Sequence, residues 1–279
     1  MTTEKLTGEA GRQTKILMLG TGHAMVTKCF NTCFLIRTGE GSVLTDCGGG
    51  NGLLRQMELA GADWRKVRTI FLTHAHTDHL SGAVWALRRM NRILEGDMTL
   101  DVYGHGESIH LLEEMCRVML GNEGRPYDYA GGRVQLHVLG DGDGFKACGM
   151  DFTAFDIGSS DKLQYGFRCE YEPGKMLVCL GDESYRDRSE AYVRGADWLM
   201  HEAIRAEDAP EGQGHSRHGS AAAAAATAAR LGVRNLLLYH GHDRDLAHRK
   251  EEFTAAAAAA FAGRIEVPDD LEEICLEEK

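Results

Sequence analysis

Several features of membrane and secreted proteins are missing from this sequence of 279 residues. No apolar run reaches the roughly 18 residues that a transmembrane helix needs. Residues 1–13 are polar and lack the apolar core of a secretory signal. We therefore expect a flexible N-terminal tail over residues 1–13, a cytoplasmic location and no membrane partner.

Basic residues are too few to balance the acidic ones. The chain has 31 lysine and arginine residues against 42 aspartate and glutamate residues, which gives a formal net charge of -11. Affinity for the phosphate backbone of nucleic acid comes mainly from lysine and arginine contacts. The balance therefore argues against a nucleic-acid partner, although a local basic patch is compatible with it, and we expect a small-molecule substrate.

Paired cysteines are also missing, since no CxxC sequence occurs. The eight cysteines are scattered along the chain, and several lie in apolar runs that are typical of strands, such as Cys179 in Met176–Leu180. We predict reduced, buried thiols, as is usual for a cytoplasmic protein.

No internal repeat of fixed period and no linker divides the chain, so residues 14–279 are predicted to form a single α/β domain. Apolar runs such as Val67–Thr73 predict buried strands, and a helix is predicted at Ser81–Leu94. Two alanine-rich segments, Ser220–Leu231 and Lys250–Ala262, also predict helices, and each is followed by glycine.

The strongest chemical signal is the HxHxDH pattern of His74, His76, Asp78 and His79, which directly follows a predicted strand. Residues at positions i and i+2 of extended backbone point the same way, so His74 and His76 can bind one ion together. Asp78 and His79 come where the chain must turn and can face a second ion. Imidazole nitrogen and carboxylate oxygen suit zinc and similar divalent metals.

The HxHxDH pattern after a buried strand resembles the metallo-β-lactamase superfamily, and the resemblance extends from about residue 15 to about residue 267. It implies an αββα sandwich, in which two mixed sheets are flanked by helices. It also implies two metal ions at the loops between the sheets, with zinc as the first choice and manganese or iron as alternatives.

Three further positions match markers of that superfamily. Asp46 closes an early strand before a glycine turn, where the resemblance implies a residue that orients the histidine loop without binding metal. Asp182, in a Gly-Asp pair after an apolar strand, matches the carboxylate that bridges the two ions. His240 ends a late apolar strand and matches a further metal ligand.

Within the superfamily, the chain is most similar to ribonuclease Z and its phosphodiesterase relatives. Trp198–Ala203 resembles their His-Glu-Ala-Thr motif, and Arg217–Ser220 resembles their His-Ser-Thr loop. The resemblance implies that Glu202 holds and tunes His218, and that His218 protonates the leaving oxygen. His215, in the same loop, is an alternative for that role.

One segment departs from the superfamily pattern. A third histidine ligand for the first ion usually lies shortly before a Gly-aromatic pair, but residues 155–161 contain no histidine. Ser159, Ser160 or Asp161 occupies the expected place. Either Asp161 or Asp156 substitutes for the missing ligand, or the first site is weak or empty.

A second departure concerns RNA. Only 20 residues separate Asp161 from Gly181. This leaves no room for the long flexible arm with which ribonuclease Z grips transfer RNA, and together with the acidic charge it argues against transfer RNA processing.

These features predict a metal-dependent hydrolase, and the first hypothesis is a phosphodiesterase for a small phosphodiester. Metal-bound hydroxide would attack the phosphorus, with His218 as general acid and with Glu202 and Asp78 counted among the catalytic residues. Hydrolysis of an arylsulfate, a lactone or a thioester is an alternative. So is a degenerate protein that binds metal or ligand without turnover. The sequence leaves a homodimer open.

Overall fold

The computed structural model of this protein describes residues 13–121, 128–208 and 217–277. Nearly all of the predicted flexible tail, residues 1–13, lies outside the described residues. Two seven-stranded sheets pack against each other, and helices cover their outer faces, which confirms the predicted αββα sandwich. No helix of the described residues is long and apolar enough to cross a membrane.

The described residues contain fourteen strands. They are β1 Lys15–Gly20, β2 Cys33–Arg37, β3 Ser42–Thr45, β4 Val67–Leu72, β5 Leu100–Gly104, β6 Val134–Val138, β7 Gly144–Ala147, β8 Met150–Asp156, β9 Tyr165–Glu172, β10 Lys175–Cys179, β11 Trp198–Glu202, β12 Asn235–Tyr239, β13 Arg264–Glu266 and β14 Glu273–Cys275.

The two sheets have the same plan. The first has the strand order β14-β1-β2-β3-β4-β5-β6, and the second has the order β13-β12-β11-β10-β9-β8-β7. In the first sheet β3 to β6 are parallel neighbours, and in the second sheet β10 to β13 are. The remaining neighbours in both sheets are antiparallel, so both sheets are mixed.

Six helices occur in the same residues, and the first three cover the first sheet whereas α5 and α6 cover the second. They are α1 Gly52–Leu59, α2 Thr77–Met90, α3 Gly106–Met119, α4 Glu190–Val193, α5 Ala221–Arg230 and α6 Leu246–Ala258.

The alternation of side chains along the strands builds three apolar layers. In β1, Ile16 and Met18 face the second sheet, whereas Leu17 and Leu19 face the helices of the first. Both faces of the strand are therefore covered, which explains its unbroken apolar sequence. All eight cysteines are free thiols, and five of them are buried.

Two predicted helices differ from the observed ones in their limits. The helix predicted at Ser81–Leu94 begins at Thr77, because extended backbone ends at His76. An acidic residue, Asp78, therefore lies in its first turn, where the helix dipole favours it. The helix predicted at Lys250–Ala262 runs over Leu246–Ala258 instead. Its alanines favour helix beyond that end, but the chain turns there and buries Phe261.

Gly82 sets how closely α2 approaches the glycine-rich turn after β3. A Cβ atom at this position would lie 1.9 Å from the carbonyl oxygen of Cys47. The amide of Gly82 also donates a hydrogen bond of 2.9 Å to the carbonyl oxygen of Gly48. This contact fixes α2, which carries Asp78 and His79, against the end of β3.

We expect Gly82→Ala to lower the free energy of unfolding by about 1–3 kcal/mol, because the added methyl group overlaps a backbone atom that must move. Urea unfolding followed by circular dichroism measures this change. Gly106→Ala is the matched control, since a Cβ atom there meets only Val138, at 3.8 Å. Its effect should stay below about 0.5 kcal/mol. Equal stability of the Gly82 variant and the unaltered protein would contradict the packing role.

Candidate metal centre

Loops from both sheets meet at one edge of the sandwich, beyond the carboxyl ends of parallel strands. In the first sheet, Asp46 follows β3 and His74 lies two residues after β4. In the second sheet, Asp182 follows β10, Glu202 ends β11 and His240 follows β12. The strand ends therefore bring together residues that are up to 194 positions apart in the sequence, from Asp46 to His240.

The described residues contain three groups of possible ligand atoms, one of which is Asp46, His74 and His79. The other two share the carboxylate of Asp182 and are called the first and second clusters. The first cluster is His74, His76 and Asp182, and the second cluster is Asp78, His79, Asp182 and His240. Within each cluster the ligand atoms lie within 4.8 Å of one another. The structure thus brings together all six residues that were predicted as metal ligands.

Asp182 lies closest to the imidazoles through its Oδ2 atom. This oxygen is 3.1 Å from Nε2 of His79 and 3.2 Å from Nε2 of His240. It is 3.6 Å from Nε2 of His74, and Nδ1 of His76 lies 2.9 Å from that same His74 nitrogen. One carboxylate therefore belongs to both clusters.

Asp46 has both of its carboxylate oxygens engaged with the histidine segment. Its Oδ1 accepts a hydrogen bond of 2.9 Å from the Thr73 amide, and its Oδ2 accepts one of 2.7 Å from the Thr73 hydroxyl. Nδ1 of His79 lies 2.7 Å from Oδ2. The carboxylate thus fixes the loop and one ring.

Outer hydrogen bonds also set which nitrogen of the buried imidazoles faces the clusters. The Thr73 hydroxyl donates to a carboxylate, so it accepts from Nδ1 of His74, 2.9 Å away. The Thr32 hydroxyl donates to the Gly22 carbonyl, so it accepts from Nδ1 of His240, 3.0 Å away. Both rings therefore present the lone pair of Nε2 to the clusters, as metal-binding histidines do.

The protonation states of the cluster residues suit the binding of a cation. Burial opposes ionisation of Asp182, but His240 and His79 outweigh it and hold the pKa of Asp182 well below its usual range. Burial lowers the pKa of His74 well below the usual value and that of His240 to about 4. Ionised carboxylates and neutral imidazoles are the forms that bind metal. His79 is the exception, because its carboxylate neighbours, Asp46 first, raise its pKa despite burial, so a cation would compete with that proton.

Two buried atoms of the second cluster support this assignment of a metal. Oδ2 of Asp78 and Nε2 of His79 make no hydrogen bond of good geometry, although carboxylate oxygens of Asp78 and Asp182 lie 3.3 and 3.1 Å from that nitrogen. Buried polar atoms without partners are rare and costly. Imidazole nitrogens and carboxylate oxygens are the donors that zinc and related divalent ions take in proteins. The residues present therefore fit such a metal.

A cavity of about 480 Å³ opens onto both clusters. Besides cluster residues, it is lined by His218 and His23 and by two cations, Lys162 and Arg217. The cavity is partly open to solvent, so a small substrate can reach the cluster atoms.

His218 and Glu202 lie together beside the second cluster. Nδ1 of His218 is 3.6 Å from Oε2 of Glu202 and 3.9 Å from Oδ1 of Asp182. Oε1 of Glu202, which is fully buried, accepts a hydrogen bond of 2.5 Å from the Gly219 amide. Burial lowers the pKa of His218, but Glu202 and Asp182 outweigh it and raise the pKa above its usual value. His215, the alternative for the same role, lies outside the described residues.

The segment that lacks the third histidine is held by other contacts. Ser159 and Ser160 donate hydroxyl hydrogen bonds of 3.0 and 3.3 Å to Oε1 of Glu183, a buried residue. Oδ2 of Asp161 lies 3.1 Å from Nε2 of His76, and Asp161 pairs with Arg217. Their side chains thus point to partners other than the cluster atoms.

Asp156, the other predicted substitute ligand, pairs with Arg188 at 3.0 Å. Among the histidine, cysteine and acidic side chains of the described residues, neither Asp156 nor Asp161 joins a cluster. The first cluster therefore consists of two imidazoles and the shared carboxylate.

Sequence reasoning missed several residues around the centre. Thr73 and Arg217 directly precede predicted site residues, so proximity in the sequence was the available signal. Thr32 gave no signal, because its contact with the strand-end histidine spans 208 positions. Gln164 accepts a hydrogen bond of 3.3 Å from the Asp182 amide and was equally hidden.

An αββα sandwich that gathers imidazoles and carboxylates at its strand ends is the architecture of a superfamily of metal-dependent hydrolases. The family model described as "Beta-lactamase superfamily domain" matches residues 42–241. The chain therefore belongs to the metallo-β-lactamase superfamily.

Named relatives agree with this assignment. Ribonuclease Z of Mycobacterium marinum is 27% identical over 261 residues, covering 86% of this chain and 90% of that protein. The metallo-β-lactamase fold protein YhfI from Bacillus subtilis superposes with a TM-score of 0.75 at 18% identity, covering 95% of this chain and 99% of that one. Human tRNase Z, short form, gives 0.71 at 20% identity, covering 95% and 100%. These two structures share the fold.

We expect Asp182→Ala to lose metal from both clusters, because both contain its carboxylate. Plasma mass spectrometry of protein that has been loaded with zinc and desalted counts the bound ions. Asp156→Ala removes the same charge from a residue outside the clusters and should retain the full count. Two ions retained by the Asp182 variant would refute the shared role.

Proposed function

We propose that this protein is a metal-dependent phosphodiesterase that hydrolyses small phosphodiesters. The observation that carries the proposal is the position of His218. Its ring faces the same cavity as both clusters, and the buried carboxylate of Glu202 lies 3.6 Å behind it. A proton donor and a metal centre thus share one substrate-sized space.

The roles of the chain's own residues follow from their contacts. The proposed metal ligands are His74, His76, Asp78, His79, Asp182 and His240. Asp46 orients the histidine loop and the ring of His79 without binding the metal. A divalent metal supplies Lewis acidity, which polarises a phosphoryl oxygen and lowers the pKa of water to roughly 7.

His218 supplies the proton that the leaving oxygen needs. The neighbouring carboxylates raise the pKa of His218, so the ring carries a proton at neutral pH more often than an ordinary histidine. Glu202 orients the ring while its other oxygen holds the Gly219 amide. Lys162 and Arg217 line the same cavity and favour an anionic substrate.

This proton donor favours phosphodiesters over the other superfamily reactions. An alkoxide leaving group is strongly basic, so its departure gains most from a positioned acid. A thioester expels a thiolate, and an activated arylsulfate expels a phenolate, and both need less protonation. Lactone hydrolysis needs an acid too and belongs in the substrate panel.

The short hairpin of β9 and β10 favours small substrates. β9 and β10 pair in antiparallel register and are joined by only two residues, 173 and 174. The chain between Asp161 and Gly181 is thus used for strands and a tight turn, with no long arm for RNA.

RNA processing is the second candidate function, because the relatives named ribonuclease Z align over most of this chain. A substrate panel separates the candidates. Zinc- or manganese-loaded protein should hydrolyse bis(p-nitrophenyl) phosphate and alkyl phosphodiesters, and a chelator should abolish the turnover. Faster cleavage of precursor transfer RNA would favour the second candidate. Metal binding with no turnover of any ester would overturn the proposal in favour of a degenerate binder.

We expect His218→Ala to retain metal and to lose about 10²–10⁴-fold in the hydrolysis of a phosphodiester with an alkyl leaving group. The loss should be much smaller for a p-nitrophenyl ester, because that leaving group departs without a proton. Steady-state rates on the two substrates measure the difference.

His248→Ala is the matched control for this variant. His248 is exposed and contacts Asp245, away from the cavity. Its rates should stay unchanged on both substrates. Equal losses on the two esters in the His218 variant would show that His218 does not act as a general acid.

A further inference from the structure

We propose that Asp161 is a positioning residue for the first cluster, which it completes by fixing His76 instead of binding the ion. Asp161 stands near the place where the superfamily has its third histidine. The inference rests on the proposed metal centre and adds a role for a residue outside its ligand set.

The two nitrogens of His76 face different partners. Nδ1 lies 2.9 Å from Nε2 of His74, within the first cluster, whereas Nε2 lies 3.1 Å from Oδ2 of Asp161. A neutral imidazole carries its proton on one nitrogen and its lone pair on the other. A carboxylate only accepts hydrogen bonds, so with a cation in the first cluster the proton lies on Nε2, and the lone pairs of Nδ1 of His76 and Nε2 of His74 both face that cation.

The same geometry argues against Asp161 as a ligand. The ring nitrogens point in different directions, so an ion held by Nδ1 lies on the side of His76 away from Asp161. The carboxylate of Asp161 joins no cluster in the described residues. It therefore acts on the ion through His76.

His76 needs such a partner more than the other cluster imidazoles do. The side chains of His74, His79 and His240 are at most 2% exposed, and each has an outer partner in the interior. His76 is 25% exposed, at the rim of the cavity. Burial does not fix the ring of His76, so a hydrogen bond to a residue at the rim of the cavity is needed to fix it.

Arg217 extends this contact to the loop that carries the proton donor. Its guanidinium pairs with Oδ2 of Asp161, the oxygen that faces His76, and it directly precedes His218. The salt bridge holds Asp161 in place and joins the His218 loop to the first cluster.

The two clusters should therefore bind metal unequally. The second cluster offers four protein donors and the first offers three, and Asp182 is counted in both. Calorimetric titration of the metal-free protein with zinc should resolve a tight event and a weaker one.

We expect Asp161→Ala to weaken the second, weaker binding event by about 10–100-fold, as loss of an outer-shell partner typically does. The tight event should stay unchanged. Asp161→Asn should retain most of the affinity, because the amide oxygen still accepts from Nε2 of His76. Asp156→Ala, an acidic residue paired with Arg188, is the control and should leave both events unchanged.

Proton NMR of the zinc-loaded protein gives a readout that depends neither on affinity nor on turnover. The Nε2–H proton of His76 should exchange slowly with water in the unaltered protein and in Asp161→Asn, where it is hydrogen-bonded, and fast in Asp161→Ala. An Asn variant as damaged as the Ala variant in zinc affinity would identify Asp161 as a direct ligand and overturn the proposal. An unchanged weaker event in Asp161→Ala would overturn it too, whereas failure of the unaltered protein to bind any zinc would refute the metal centre itself.

Discussion

The buried carboxylate of Asp182 is the group on which the rest of the site depends. A buried charge is costly unless opposite charge or hydrogen-bond donors surround it. Here its Oδ2 has three imidazole nitrogens within 3.6 Å. Because the outer hydrogen bonds of His74 and His240 turn their Nε2 lone pairs toward it, the arrangement is satisfied best by a cation between them. Such a cation would join the segment after β4 to the loops after β10 and β12, so both sheets contribute to one centre.

The strand order explains why this centre forms where it does. Parallel neighbours end at the same edge, and each sheet contributes its parallel half to the edge that holds the clusters. The antiparallel halves supply the remaining surface and the hairpin of β9 and β10. The fold therefore separates the part of each sheet that carries chemistry from the part that completes the core.

Residues that lie in a recognisable local pattern could be predicted from the sequence. The HxHxDH segment, Asp182 and His240 follow apolar strands, so each was visible with the strand before it. The limits of α2 were not, because the turn at His76 depends on the strand end and on the contact of Gly82 with the glycine-rich turn. The strands β7, β13 and β14 give no such signal, since three or four residues at a sheet edge are too short to show a period. Partners such as Thr32 became visible only when the fold brought distant strands together.

Backbone conformation shows that the site constrains the chain and not only its side chains. Asp46 and His240 have φ values of 54° and 64°, a left-handed region that non-glycine residues seldom adopt. Such strain persists only where the surrounding structure fixes it. Asp46 is fixed by Thr73 and His79, and His240 by Thr32. The same short contacts that set the imidazole tautomers therefore hold both strained turns, so the orientation of the ligands and the strain of the loops have one cause.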